Sequence, residues 1–194
     1  MARAEQRERT RNALLVAAAT EFEENGFAAT TLGDVAARLG LVRATVHFHF
    51  ATKEQLAEAV VRQELEAWDA LRRTSLDAEA EPVRRLRWVS AQMAQRYVSD
   101  PVTRAAIRLL DEHRVPRFDP APTSGWTTYV ADQLRAARLV ASVPEQVDPE
   151  LDAVLLVGMF RGLLPSLTQA SKSLRTEMLV DLFCHYAIAG LSTR

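Results

Sequence analysis

The chain has 194 residues, 48% of them hydrophobic, with 24 Lys and Arg against 25 Asp and Glu and a formal net charge of −1. That length allows one large core or two small ones, and a charge near zero means that any contact with a polyanion must come from local clusters. The single cysteine, Cys184, excludes an intrachain disulfide and a cysteine-rich zinc site and fits a reducing cytoplasm.

The first eleven residues hold four arginines (Arg3, Arg7, Arg9, Arg11) against two glutamates, a local +2. The apolar run Ala13–Ala19 after them is too short for a secretory segment and meets Glu21, Glu23 and Glu24 at once. Leu14, Leu15, Ala18, Ala19 and Phe22 instead share one face of a first helix. Asn25-Gly26 is expected to end it, with the glycine in the left-handed conformation. Thr31 and Asp34 have the spacing of a capping box opening a second helix, which stops at Gly40. A short third helix is expected over Arg43–His49. Thr52-Lys53-Glu54-Gln55 is a second capping box, for a fourth helix reaching about Arg73.

Pro82, Pro101 and Pro149 stand at expected first helical positions, two of them behind the N-caps Asp100 and Asp148. Further helices are expected near 82–98, 101–112, 124–141, 149–168 and 174–191. Val115–Ser124, with three prolines, is expected to be a loop. No segment alternates like a strand, so the fold class is all-α with about nine helices. Ala153–Phe160 stops at Arg161, short of a ~20-residue membrane span. The expectation is a soluble cytoplasmic protein without a membrane partner.

The most specific local signal is Val35-Ala36-Ala37-Arg38-Leu39-Gly40 with Val46. A helix-turn-helix needs a small residue where its helices touch, a turn that tolerates positive φ, and an apolar anchor on its second helix. Ala36, Gly40 and Val46 supply these at the required spacing. The same pattern can serve an ordinary helix pair about a glycine turn. The flanking residues favour DNA: the third helix offers Arg43, Ala44, Thr45, His47 and His49 to base edges and phosphates. Lys53, in the first turn of the next helix, is placed to attract phosphate. The arginine arm can follow a phosphate backbone or a minor groove; the alternative is a solvated, frayed terminus.

The ordered set Arg11, Ala18, Phe22-Glu23-Glu24-Asn25-Gly26-Phe27, Thr30-Thr31, Val35-Ala36, Gly40-Leu41, Thr45–Phe50, Lys53-Glu54 and Leu56 resembles the N-terminal domain of TetR-family repressors. The resemblance implies a homodimer that binds a pseudo-palindromic operator in double-stranded DNA, with Thr31, Arg43, Ala44, Thr45, His47, His49 and Lys53 as the DNA-binding set. It divides the chain into a DNA-binding domain, 1–55, and an effector-binding and dimerisation domain, 56–194. Three positions depart from the family pattern. Val42 stands where a Ser or Thr usually caps the recognition helix, a loss of ~1 kcal/mol. Ala44 replaces a frequent Gly, and His47 replaces a frequent Tyr that touches phosphate.

In the C-terminal part the resemblance places the dimer face on helices 149–168 and 174–191. Gly158 and Gly162, four apart, would admit a close helix, and Leu155, Met159, Leu163 and Leu167 extend the stripe; these residues can equally face the protomer's own core. Leu86, Val89, Met93 and Tyr97 form one further stripe, and Trp126, Val130, Gln133 and Ala137 another. A ligand pocket combines apolar walls with a few convergent polar groups. The candidate set is Val89, Gln92, Met93, Tyr97, Trp126, Thr127, Val130 and Gln133, with plain core filling as the alternative for each. The blocks Phe48–Ala57, Asp100-Pro101-Val102 with Arg108-Leu109, and Trp126 after a Pro-rich loop are similar to γ-butyrolactone receptors. That likeness implies a lactone, butenolide or furan signal as effector, with Trp126 in the pocket.

The expected protein is therefore a ligand-released repressor, or a ligand-independent regulator or activator of the same fold. His47-x-His49 lacks nearby acidic residues at metal-ligand spacing. No nucleophile elbow, phosphate loop or dinucleotide turn is visible. No enzyme activity, metal or cofactor is expected.

Overall fold

In a computed structural model, residues 2–112, 115, 121–170 and 176–192 are described. Among them lie nine helices and no strand. These are α1 (Ala2–Ala29), α2 (Leu32–Arg38), α3 (Arg43–His49), α4 (Lys53–Ala78), α5 (Pro82–Ser99), α6 (Pro101–Asp111), α7 (Ala121–Leu139), α8 (Pro149–Ala170) and α9 (Thr176–Ser192). The fold is all-α. The chain divides into two compact units, one of residues 1–67 and 100–119, the other of 68–99 and 120–194.

The first unit is organised by local hydrogen-bond chemistry at its helix ends. The Thr31 hydroxyl accepts from Asp34 N and Thr31 N donates back to the Asp34 carboxylate, so the capping box of α2 is complete. Those same bonds to Thr31 hold the Asp34 carboxyl below its ordinary pKa. Gly40, at φ 65°, closes α2 with paired bonds, Gly40 N to Ala37 O and Leu41 N to Ala36 O. This is a Schellman closure, and the left-handed residue it needs is a glycine. At the start of α4, Thr52 accepts from Gln55 N while the Gln55 side chain accepts from Ala51 N.

Gly26 behaves differently from the expectation. Its φ of 77° is positive, but its ψ of 167° is extended rather than left-handed helical, and helical bonding resumes beyond it. Only glycine visits that region readily. Arg108 of α6 packs beside this break. Arg108 Nη1 donates to the carbonyl of Glu23 at 2.6 Å, capping the last turn before the break. A Cβ on Gly26 would lie 2.9 Å from Arg108 Nη2. Arg104 pairs with Glu23 at 2.6 Å, a second tie between α6 and α1. Inside, Leu14, Ala18, Phe22, Val35, Val46, Leu56 and Val60 are fully buried together with Ala105 and Ala106 of α6.

In the second unit α5 packs against α7, α8 and α9, and α7 against α8. Asp148 caps α8 by accepting from Glu150 N and Leu151 N, with Pro149 as its first residue. Glu81 caps α5 through Val83 N and Arg84 N. Two boundaries shift from expectation. α4 runs on to Ala78, since nothing breaks it before Glu81-Pro82. α7 starts at Ala121, because Pro122 falls in its first turn, where a missing N–H costs nothing. The rest of the expected loop at 116–120 lies outside the described residues.

Taken across Arg161, Pro149–Thr168 is long and apolar enough to cross a membrane by length and composition. The estimate that stopped at Arg161 was too short, because a single arginine does not end an otherwise apolar helix.

α7 ends in a Schellman closure of its own, with Ser142 N bonded to Ala137 O and Ala141 N to Arg138 O. Here the left-handed residue is Ala141, at φ 55°. An L-residue pays about 1 kcal/mol for that conformation. Ala141→Gly is therefore expected to stabilise the protein by about 0.5–1 kcal/mol, read as a raised midpoint in urea. An unchanged or lowered midpoint would show that the greater freedom of glycine in the unfolded chain outweighs the relieved strain.

Candidate nucleic-acid interface and interior cavity

α3 is seven residues long and presents one buried residue, Val46, to the unit's core. Ala36 is buried where α2 meets it. The remaining surface of α3 faces outward: Arg43, Ala44 and His47 are exposed and Thr45 and His49 half-buried. Val42 opens the helix with no side-chain cap, and its backbone carbonyl accepts from Thr45 N instead. Arg43 Nε donates to His47 Nε2 at 3.1 Å, so in the free protein this His47 nitrogen is an acceptor. The pair lies four residues apart on one face.

Thr31 is exposed, with its hydroxyl engaged by Asp34. Lys53 is half-buried. Its ammonium donates to the carbonyls of Phe27 (2.7 Å) and Ala28 (3.3 Å) and sits 4.4 Å from the centroid of the Phe27 ring. Two of its three protons thus tie the start of α4 to the end of α1, leaving one for a phosphate.

The arginine arm is helical, and two of its residues reach α3. The Arg7 guanidinium lies 5.2 Å from the Phe48 ring centroid, and Arg11 lies 4.9 Å from that of Phe50. Arginines four apart therefore clasp aromatic residues two apart, a cation–π arrangement that fixes the C-terminal end of α3. Burial lowers the His49 pKa, and Arg7 and Arg11 add to the shift against the opposing charge of Glu8. In the free protein at neutral pH His49 is a neutral imidazole. Sequence reading missed this clasp because a cation–π pair joins residues about forty apart in sequence, with no local motif. Arg38 meanwhile bridges Glu21 and Glu24, fastening α2 to α1.

The second unit holds a cavity of about 60 Å³. Trp68 of α4 lines it. α5 contributes Leu86, Val89, Ser90 and Met93; α7 contributes Trp126, Tyr129 and Val130; α8 contributes Leu156, Val157 and Phe160; α9 contributes Phe183 and Cys184. Trp68 stands at the centre of an aromatic wall, 5.5 Å from the rings of both Trp126 and Tyr129. The Tyr129 hydroxyl is 2.9 Å from Ser75 Oγ, and burial raises its pKa. Burial likewise pushes the Cys184 thiol up to about 11, and the Ser90 hydroxyl is its hydrogen-bond partner.

Of the eight candidate ligand residues, the cavity brings together Val89, Met93, Trp126 and Val130. Gln92 is exposed on a different face of α5. Tyr97 and Thr127 are half-buried and lie outside the lining. Gln133 is buried, but its carbonyl oxygen accepts from Arg85 Nη1 at 2.6 Å, and it too lies outside the lining. Trp68, Tyr129, Ser90, Phe183 and Cys184 were not in the sequence-based set.

α8 and α9 leave a broad apolar surface uncovered. Leu151, Val154, Leu155 and Met159 of α8 and Met178, Leu182 and Tyr186 of α9 are exposed. A Cβ at Gly158 or Gly162 would meet nothing within 4 Å. The stripe read from sequence divides here: Leu155 and Met159 are exposed, Leu163 is half-buried and Leu167 is buried in its own unit.

A short exposed helix seated by one buried valine, after a glycine turn, defines a helix-turn-helix protein. Residues 14–60 match the model for bacterial regulatory proteins of the tetR family. The chain is 30% identical to the TetR-family protein CprB from S. coelicolor A3(2), with 79% of this chain and 76% of that one covered and a TM-score of 0.73. It is 28% identical to the HTH-type transcriptional regulator TtgR of Pseudomonas putida over 82% of this chain and 80% of that protein. It is 25% identical to the A-factor receptor protein of Streptomyces griseus over 79% of this chain, but spans only 53% of that relative's length. The chain belongs to the TetR family of transcriptional regulators, and a γ-butyrolactone receptor 25% identical to it shares its fold at a TM-score of 0.74.

Proposed function

We propose that this protein is a homodimeric repressor that binds a pseudo-palindromic operator in double-stranded DNA through α3 and is released by a small molecule held in the α5–α9 cavity. The observation that carries the DNA half of this reading is the outward display of Arg43, Ala44, Thr45 and His47 on a helix anchored by Val46. Arg43 has the donor geometry for a guanine edge, and the Ala44 and Thr45 methyl groups suit a thymine methyl. Residues 1–55 act as the DNA-binding domain and 56–194 as the effector-binding and dimerisation domain. A seven-residue helix covers few base pairs, so a symmetric pair of chains is needed for a genomic site.

The exposed faces of α8 and α9 support the dimer, because contiguous apolar surface of this kind marks an interaction site. Trp126 at the cavity supports the effector half, and the γ-butyrolactone receptor relatives make a lactone, butenolide or furan signal the first class to try. Its place of work is the cytoplasm, and it performs no catalysis. One observation favours the ligand-independent alternative: about 60 Å³ is far below the ~300–1,000 Å³ of ordinary ligand pockets. Effector binding therefore has to open the cavity.

The test is selection of bound duplexes from a random pool, followed by a screen for compounds that release them. Arg43→Ala is expected to cost about 1–3 kcal/mol on the selected operator and to relax preference at one base position. A uniform loss across all sequences would make Arg43 a phosphate contact instead. Operator binding that no compound disturbs would leave the ligand-independent regulator.

A further inference from the structure

We infer that the DNA interface extends onto α1: Arg7, held over the exposed Phe48 ring of α3, binds a backbone phosphate at the C-terminal end of the recognition helix. The inference rests on reading α3 as the helix that meets DNA.

At ~3.6 residues per turn, the positions opposite the buried Val46 are two before it and two after it, Ala44 and Phe48. Both are exposed, Phe48 by 68%. A duplex lying on the outer face of α3 therefore meets this ring. A phenyl group gives a phosphate nothing to bond, and the C-terminal end of a helix favours cations over anions. His49, the sequence-based candidate at this end, does not supply the charge. Burial lowers its pKa, with Arg7 and Arg11 adding to the shift, and leaves it a neutral imidazole at neutral pH.

Arg7 does supply it. Its guanidinium lies 5.2 Å from the Phe48 ring centroid. A ring holds a cation through its quadrupole and takes up no hydrogen-bond donor. Among the described residues no group, the neighbouring Glu8 included, bonds to the Arg7 guanidinium, so its N–H fork stays available for two phosphate oxygens. A guanidinium already seated also loses less side-chain freedom on binding than a loose one. Arg11 provides the contrast. It is half-buried over Phe50, itself 4% exposed, so that pair belongs to the packing of the unit. Of the arm's four arginines, Arg7 alone among the described residues is both exposed and seated on a ring.

The test is binding of the full-length protein to a mixed-sequence duplex of about 30 base pairs, roughly three helical turns, between about 50 and 200 mM KCl. Arg7→Gln is expected to weaken binding about tenfold at the low-salt end. It should also shallow the dependence of log affinity on log salt by about 0.9 for each chain bound, the share of one phosphate contact. Arg7→Lys keeps the charge and should keep the slope. Phe48→Leu should cost about threefold with the slope unchanged, since it removes only the seat of the guanidinium. Added to Arg7→Gln, it should cost nothing more. Both side chains are exposed, so neither change empties the core. An unchanged slope in Arg7→Gln overturns the phosphate contact, whatever happens to affinity. A loss seen on the selected operator but not on the mixed-sequence duplex marks a base contact and overturns it too. Additive losses from Arg7→Gln and Phe48→Leu overturn the role of the ring. If the unaltered protein binds no duplex, the DNA reading itself falls and this inference with it; the other failures leave that reading standing.

Discussion

If the exposed α8–α9 surface pairs two chains as proposed, glutamate at both Leu155 and Met159 is expected to leave monomers and to lower operator affinity about a thousandfold. Within one chain these side chains are 45% and 53% exposed, so the substitutions burden no core. Leu151 and Val154 continue the apolar surface on the same helix, and Met178, Leu182 and Tyr186 extend it on α9. In a two-fold interface each substitution occurs twice, so four carboxylates would be carried into one apolar seam. Burying each without a partner costs several kcal/mol. The loss of affinity follows because one recognition helix then binds a half-site without its tethered twin. Sedimentation velocity reads the oligomer, DNA binding the affinity, and an unchanged helical circular dichroism spectrum guards against misfolding. A variant that stays dimeric would place the interface elsewhere.

Phe22→Ala should destabilise the first unit by about 3–5 kcal/mol, the range for an aromatic core residue cut to alanine. Phe22 is fully buried and stacks on Phe27, with ring centroids 5.8 Å apart. It belongs to one core cluster with residues of α2, α3, α4 and α6, so the vacated space has walls on several sides. Domains are held by only about 5–15 kcal/mol in total, so this single change removes a large share. Calorimetry should show the transition of the first unit moving down, with DNA binding lost at a temperature where the normal protein still binds. A shift worth less than ~1.5 kcal/mol would mean that the core relaxes far more than its packing suggests.

What the sequence makes legible here is chemistry that acts over four residues or fewer. The Thr31–Asp34 box, Asp100 before Pro101, Asp148 before Pro149 and the Gly40 closure are all present in the structure, since each side chain serves its own turn; at Thr52–Gln55 half of the expected box forms, the return bond going to Ala51 N rather than to Thr52 N. Contacts between distant segments were not legible. The carbonyl of Glu23, just before the break at Gly26, is capped by Arg108, over eighty residues away, and Arg7 finds its ring on α3. The cavity shows the same division. On α5 the stripe Leu86, Val89, Met93 lines it, but the stripe's next residue, Tyr97, lies beyond its end. On α7, Trp126 and Val130 line it, while Gln133, one turn further on, is held by Arg85. Helical spacing gives the face, and the partners set how far along that face the open space extends. Phe183 and Cys184 escaped notice because α9 is apolar on both sides, which erases the contrast that reveals an inward face.

That two-sidedness of α9 has a thermodynamic consequence. The helix is a partition ~10 Å thick. Phe183 and Cys184 line the cavity, while Met178, Leu182 and Tyr186 lie on the exposed surface proposed for self-association. A molecule that swells the interior must press on this partition, and linkage then works in both directions: whatever factor filling imposes on self-association, self-association imposes on filling. Ligand affinity should therefore vary with protein concentration across the range where chains pair.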